Sequence, residues 1–267
     1  MTRALVVFLL AIFLVAPAQA DPGSLLLIGG GDHPPAVMKK FIALAGGPQA
    51  LFVVVPTASS LASTGPAYVR ELKGYGCKRV RVLRLRSRRD ATHGDWEKLL
   101  PQAGGVFFTG GDQVRLMNVC RDTPFEKALK KAHARGAAIA GTSAGTACMS
   151  GPMMTGDADL TVIRDDPRAL VKGFGLFPGV ILDQHFVKRQ RFNRLISAVA
   201  AHPNLVGIGV DEATAVWWRP DGAVEVLGSN CVALVDARAA TVRKNGRRFA
   251  VKGMTVQILL PGDVWKP

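Results

Sequence analysis

The sequence predicts an α/β fold: a mostly parallel sheet with helices on both faces, extended at its C-terminal end by antiparallel strands. Three observations predict it. Short, nearly continuous apolar runs alternate with stretches of helical periodicity, as expected for strands buried on both faces. Three of those runs lead into glycine-bearing turns, at Gly29–Gly31, Gly110–Gly111 and Gly141–Gly145. From Ala213 the pattern shifts to β alone, with hairpin turns at Asp221-Gly222 and Asn245-Gly246.

Residues 1–20 read as a signal peptide. Arg3 supplies a positive start, Ala4–Val15 an apolar run, and Ala18-Gln19-Ala20 a small-x-small cleavage site. The run is short for a membrane span, and no later segment is apolar enough for one. The expectation is a secreted or periplasmic protein, with residues 21–267 forming a single α/β domain and no membrane association after cleavage.

The elements follow in order. Leu25–Ile28 is a buried strand entering a glycine turn. Val37–Ala45 has helical spacing and stops at Gly46-Gly47. Ala50–Val55 is a strand closed by Pro56. Tyr68–Lys73 ends a helix near Gly74, and Glu97–Leu100 is a short helix. Arg79–Arg89 alternates basic and apolar residues, so it reads as a strand with one basic face. Val106–Phe108 runs into Thr109-Gly-Gly-Asp-Gln113. Val114–Cys120 and Pro124–Arg135 are helices. Ala137–Ala140 is a strand, and the polar stretch after Thr155 suits a flap. Val180–Leu182 is a strand ending in Asp183-Gln-His-Phe186, and Lys188–Ala201 continues as a helix. Gly207–Val210 is a strand ending in Asp211-Glu212. Strands at Ala215–Trp218, Val224–Leu227, Cys231–Val235 and Val256–Leu260 complete the chain.

Composition bounds the function. Of 267 residues, 48% are hydrophobic and 20% charged, which is ordinary for a globular domain with a sizeable core. The formal net charge of +14 favours acidic partners. No aromatics interleave with the basic residues in the manner that stacks bases, so nucleic acid is not expected as a partner. Cys77, Cys120, Cys148 and Cys231 are scattered, lack metal-ligand spacing and read as buried free thiols. No metal or organic cofactor is called for.

The chemistry centres on Gly141-Thr-Ser-Ala-Gly145. Two glycines allow a sharp strand-to-helix turn that lifts the Ser143 hydroxyl above the sheet end, where a helix N-terminus presents backbone N–H groups. A serine nucleophile needs a base, and the base an orienting acid. Of five histidines, His93 and His133 read as surface residues and His202 as a turn residue; His33 follows the first glycine turn. His185 is the best base, because it follows an apolar strand and faces the same rim as Ser143. Glu212 or Asp211, at another strand end, supplies the acid. The order Ser, His, Glu differs from that of α/β-hydrolases.

Specificity groups lie close by. Arg189, Arg191 and Arg194 fall on one helical stretch after His185, with Arg191 and Arg194 sharing a face. Guanidinium forks suit carboxylates. Asp183, Gln184, Asp112 and Gln113 offer acceptors for a cationic group.

Taken together and in this order, Phe108-Thr-Gly-Gly-Asp-Gln113, Gly141-Thr-Ser-Ala-Gly145, Asp183-Gln-His-Phe186 with its three arginines, and Gly207-Ile-Gly-Val-Asp-Glu-Ala-Thr-Ala215 resemble the cyanophycinase group of the dipeptidase E-like serine peptidases (S51). The resemblance implies a glutamine-amidotransferase-like core and a homodimer. It implies exo-cleavage of cyanophycin, a poly-aspartate carrying arginine on each β-carboxylate, to β-Asp-Arg. By motif, Ser143 is the nucleophile, His185 the base and Glu212 the acid. Gly110, Gly111 and Ala144 form the oxyanion hole. Gln113, Asp183, Gln184, Arg189, Arg191 and Arg194 line the substrate pocket. An aspartyl or isoaspartyl dipeptidase with the same triad, and a non-catalytic binder of an acidic polymer, are the alternatives.

Overall fold

A computed structural model describes residues 23–157 and 160–266. The signal segment expected at residues 1–20 lies outside the described residues. The first half alternates as the sequence predicts: β1 (Leu25–Ile28), α1 (Pro35–Leu44), β2 (Leu51–Val55), α2 (Thr64–Gly74) and β3 (Arg79–Val82). Short α3 (Arg88–Thr92) and α4 (Trp96–Leu99) precede β4 (Ala103–Phe108), α5 (Gln113–Cys120), α6 (Pro124–Ala134), β5 (Ala138–Thr142) and the single turn α7 (Ala144–Ala147). An arm of β6 (Pro152–Met154) and β7 (Leu170–Lys172) follows, then β8 (Val180–Gln184), α8 (Phe192–Ala201) and β9 (Val206–Val210). The remainder is strand: β10 (Thr214–Trp218), β11 (Val224–Gly228), β12 (Val232–Asp236), β13 (Thr241–Asn245), β14 (Arg248–Lys252), β15 (Thr255–Leu259) and β16 (Val264–Trp265).

The main sheet has eight strands in the order β16-β11-β10-β1-β5-β4-β2-β3. Strands β1, β5, β4, β2 and β3 are parallel, and the hairpin β10–β11 adds antiparallel to β1. Alternate residues of the parallel strands face two different cores, as a strand's twofold period requires. Leu25, Leu27, Val53, Val55 and Ile139 pack towards α5, α6 and α7. Leu26, Ile28, Phe52, Val54 and Ala140 pack towards α1 and α2. Both faces are therefore apolar, which explains the continuous hydrophobic runs. Since β1, β5 and β4 are neighbours, the three glycine turns after them open on one rim.

Strands β8 and β9 pair in parallel, but in a second sheet, ordered β15-β12-β9-β8. One face of that sheet joins the main core through Leu182, Ile208, Val210 and Leu234. Its other face, with Ile181, Ala233 and Val235, packs on Leu195 and Val199 of α8.

Several local expectations change. The basic strand stops at Val82, because Ser87 and Asp90 form a reciprocal capping box that starts α3. The helix expected from Lys188 begins only at Phe192, since Gln190 adopts φ 52° and interrupts it. Arg189 and Arg191 thus lie in a turn, off the helix that carries Arg194. His133 is buried rather than superficial and stacks on Trp218. All four cysteines are free, three of them buried, and burial pushes the Cys120 and Cys148 thiols up. Among the described residues no helix is long and apolar enough to cross a membrane.

The two sheets meet at the Gly29–Gly31 turn. A Cβ on Gly29 would sit 2.1 Å from the Asp211 carbonyl oxygen, a backbone contact that cannot be relieved by a rotamer change. Gly29→Ala is therefore expected to cost about 3 kcal/mol. That is a fall of about 6–12 °C in thermal midpoint, measurable by calorimetry.

Candidate active site

Ser143 follows the last residue of β5 and adopts φ 52°, ψ −113°, which is strained for a residue with a side chain. The turn is possible because backbone lies where side chains would. A Cβ on Gly141 would meet Gly145 O at 2.3 Å, and one on Gly145 would meet Phe108 O at 2.3 Å. The Ser143 amide donates to Ile28 O at 3.0 Å, so the turn is tied to β1. Helix α7 behind it is four residues long, so the helix dipole expected from the sequence is small.

His185 follows β8 and also has positive φ, 49°. Its amide donates to Gly29 O at 2.7 Å, which fixes the second sheet against the first. The ring bridges two groups: Nε2 lies 2.9 Å from Ser143 Oγ, and Nδ1 lies 2.6 Å from Glu212 Oε1. Gly30 passes beneath the ring so closely that a Cβ would sit 2.2 Å from Cε1. Glu212 is held by its own backbone, whose carbonyl accepts from Asn230 Nδ2 at 2.7 Å and Thr214 Oγ1 at 3.1 Å. Asp211, the other acid the sequence left open, turns away. Its Oδ1 accepts from the Val187 and Lys188 amides and caps the turn after His185.

Electrostatics set the proton positions. Burial pushes the His185 pKa below the ordinary imidazole value, the Glu212 hydrogen bond opposes this, and the Arg189 charge adds to it. The hydrogen bond from His185 holds Glu212 below the usual carboxylate value, against its partial burial. Glu212 is thus an ionised acceptor, Nδ1 carries the proton, and the Nε2 lone pair faces the Ser143 hydroxyl. This is the arrangement a serine nucleophile requires.

Of the expected oxyanion donors, Ala144 follows Ser143 directly and Gly110 adjoins it. A Cβ on Gly110 would lie 3.4 Å from Ser143 Cβ. Among the described residues, the Gly111 and Ala144 amides donate to no backbone oxygen. Beside this turn lies the phenol of Tyr68, whose pKa burial and the Glu71 charge push up to about 12. Tyr68 packs on His33 and Phe107, and His33 Nδ1 pairs with Glu71 at 2.9 Å. His33 therefore belongs to the α2 wall. Nothing in the sequence singles out Tyr68, which sits on a helix far upstream.

The predicted specificity residues are brought together, but largely satisfy one another. Asp183 is fully buried, and both its oxygens accept from Arg194, through Nε at 2.7 Å and through Nη2. Arg191 Nη1 donates to Gln184 O at 2.6 Å and Gln184 Oε1 at 2.8 Å. Burial lowers Arg191 to about 10, so it stays charged at neutral pH. Gln113 Nε2 donates to Met154 O at 3.1 Å and ties α5 to the arm. Arg194 Nη1 reaches Gly156 O on the same arm. Arg189 alone of the three arginines is exposed, and its charge acts on both His185 and Glu212. A cavity of about 770 Å³ lies between the arm and α8, lined by Arg194, Ser197 and the residues of β7, but by no residue of the Ser143–His185–Glu212 chain. No cluster of metal-ligating side chains occurs among the described residues.

The Asp183–Arg194 pair gives a testable asymmetry. Asp183→Asn leaves a buried guanidinium without its counter-ion, an effect of about 3–5 kcal/mol. The double variant Asp183→Leu/Arg194→Met is expected to be more stable than either single change suggests by addition. Denaturant unfolding of the wild type, Asp183→Leu, Arg194→Met and the double variant measures the coupling.

Comparison with known proteins shows the family. Peptidase family S51 matches residues 25–226. Cyanophycinase from Nostoc sp. (strain PCC 7120) is 38% identical over 247 residues, covering 90% of this chain and 83% of the relative. Cyanophycinase from Geminocystis herdmanii is 34% identical over 254 residues, covering 90% and 92%. A peptidase from an acI-B1 Actinobacterium has the same fold, with a TM-score of 0.68 at 23% identity over 92% of this chain and 97% of that one. A Listeria monocytogenes EGD-e protein gives 0.56 at 18%, over 78% and 98%. With its serine, imidazole and carboxylate in hydrogen-bonded sequence on this fold, the chain belongs to peptidase family S51 and is a serine-type peptidase.

Proposed function

We propose that this protein is an exported, homodimeric exopeptidase that hydrolyses cyanophycin to β-Asp-Arg dipeptides through an acyl-enzyme. The observation that carries the reading is the Ser143–His185–Glu212 chain of hydrogen bonds, at 2.9 and 2.6 Å, on a strained turn beside unengaged amides. The substrate reading rests on the relatives: the Nostoc and Geminocystis proteins, each matched over most of its length, bear the name cyanophycinase. Export follows from the leader-like residues 1–20.

In the proposed reaction Ser143 Oγ attacks the scissile carbonyl while its proton passes to His185 Nε2. Glu212 holds the Nδ1 proton and stabilises the imidazolium. The carbonyl oxygen becomes an oxyanion against the Gly110, Gly111 and Ala144 amides. His185 returns the proton to the leaving amine. Water, deprotonated by the same imidazole, then hydrolyses the ester and regenerates the serine. Arg189 is the free guanidinium beside this centre and takes a substrate carboxylate.

The aspartyl dipeptidase reading keeps the same chemistry, and one observation favours it. Asp183, the acidic group expected to grip a pendant arginine, is already occupied by Arg194. Incubation with insoluble cyanophycin, followed by mass spectrometry of soluble products, decides between them. Release of β-Asp-Arg supports the polymer reading. Cleavage of Asp-X dipeptides alone replaces it.

Ser143→Ala is expected to lower kcat by about 10⁶-fold with the fold retained by circular dichroism. Glu212→Gln, which removes the ionised acceptor, is expected to lose about 10³–10⁴-fold. Activity disappears when His185 is protonated, and its pKa is lowered. The acid limb of kcat/KM is therefore expected below the ordinary imidazole value of about 6.5. Arg189→Gln removes a positive neighbour, so the His185 pKa rises and the limb moves to higher pH. A pH–rate profile in which the limb stays put or moves down contradicts this assignment.

A further inference from the structure

Two arginines on the same rim take no part in the chemistry described above. Arg86 lies beyond β3 and Arg115 in the first half of α5, and both are exposed. They converge on one turn. Arg86 Nη1 donates to Ser59 O at 2.5 Å and to Pro56 O at 3.2 Å, and Arg115 Nη1 to Ala58 O at 3.5 Å. Neither guanidinium faces a carboxylate among the described residues. With Thr57, Ser59, Ser60 and Ala62 they line a pocket of about 300 Å³. The hydroxyls of Thr57 and Ser59 are committed, to Leu85 O and to Thr64 Oγ1. Ser60 is exposed at the mouth.

The position of this pocket is set by strand order. Along the rim the strands run β1, β5, β4, β2, β3. His185, at the end of β8, packs over the turn after β1 through its bond to Gly29 O; Ser143 follows β5 and Gly110–Gly111 follow β4. The 56–60 turn follows β2, and Arg86 follows β3. The pocket therefore flanks Ser143 on the side opposite His185 and Arg189. It is joined to the oxyanion turn directly: the Asp112 amide donates to Ala58 O at 2.9 Å, and a Cβ on Gly111 would lie 2.3 Å from that same oxygen. Each guanidinium spends Nη1 on carbonyls and keeps further N–H donors for a planar two-oxygen acceptor.

We infer that Arg86, Arg115 and Ser60 form a second carboxylate-binding site, which takes a free carboxylate of an acidic peptide lying across Ser143 from Arg189. Two guanidinium sites then bracket the reacting serine, so a chain with a free carboxylate on each unit is held on both sides of the bond to be cut. In a poly-aspartate bearing arginine through its α-amine, that group is the arginine α-carboxylate. The purpose of the site rests on the proposed peptidase reaction; the binding itself does not.

The test separates the two. The full-length Ser143→Ala protein is titrated calorimetrically with penta-aspartate and with soluble cyanophycin, alone and combined with Arg115→Gln or Ser60→Asp. Ser60→Asp leaves every arginine in place and fills the mouth with a competing carboxylate. Each added change is expected to weaken penta-aspartate binding about fivefold, as for an exposed ion pair. Both are also expected to flatten its dependence on salt. In the active protein the same changes raise KM for the polymer by a similar factor and leave kcat unaltered. Unchanged affinity and KM in both folded variants, or no penta-aspartate binding by the Ser143→Ala protein, overturns the inference. Failure of the active protein to cleave cyanophycin sinks the proposed function, and the penta-aspartate titration still judges the pocket.

Discussion

Everything at the site depends on how the turn after β1 is clamped. Gly29 O accepts the His185 amide, and Gly30 O accepts the Ala213 amide at 2.9 Å. Ile28 O, one residue earlier, accepts both the Ser143 amide and Thr146 Oγ1. One short stretch of backbone thus sets the positions of the serine, the histidine and the residue after the glutamate. These come from two sheets that share no strand. The absence of side chains on the turn is what permits it. A Cβ on Gly30 would occupy the imidazole, and one on Gly31, at φ 68°, would press on Glu212 at 3.0 Å. The glycines serve close approach rather than flexibility.

Around this seam a layer of buried charge fixes the second sheet. Asp183 precedes His185 by two residues and is locked by Arg194 from α8, while Arg191 closes on Gln184 between them. Such a network contributes little net stability, because desolvation offsets most of the Coulombic gain. Its effect is directional. Two hydrogen bonds from Arg194 and two from Arg191 hold the end of β8 in one orientation, and the imidazole is carried on that end. The arm at Met154 and Gly156 is tethered to the same layer through Gln113 and Arg194. A change in the arm would thus be transmitted to β8 through these side chains.

The sequence made the parallel sheet and the serine turn legible for a plain reason: both are written locally. Continuous apolar strands and glycines at fixed offsets need no knowledge of distant contacts. Ser143, His185 and Glu212 could be singled out as strand-end residues, and the structure brings them within hydrogen-bonding distance. What the sequence concealed was long-range. The allocation of β8 and β9 to a separate sheet leaves no local mark, since a strand buried on both faces looks the same in either sheet. The choice between Asp211 and Glu212 turns on which way adjacent side chains point after β9. The arginines after His185 read as one helix because Gln190 at φ 52° breaks the period without a glycine or proline to announce it. Tyr68 and Arg115 have ordinary neighbours in sequence, Arg86 reads as one residue of a basic strand, and only the strand order brings them to the rim.

The distribution of backbone strain follows from the same geometry. Positive φ at a residue with a side chain costs of order 1–3 kcal/mol, and Ser143, His185 and Ala213 all adopt it. Ser143 and His185 each lie one residue past a strand that ends at the rim, and Ala213 lies between β9 and β10, just before Thr214. A strand's exit direction points along its axis, away from the sheet. To place an imidazole within 3 Å of both a serine hydroxyl and a carboxylate, each segment must turn back sharply over the same strand ends. Right-handed conformations do not turn so abruptly in a single residue. The strain is therefore borne where the three elements converge, and the hydrogen bonds to Ile28, Gly29 and Gly30 hold it there. A hydroxyl so placed has little freedom to relax away from its base. Its poor conformational energy and its alignment for attack are two consequences of one turn.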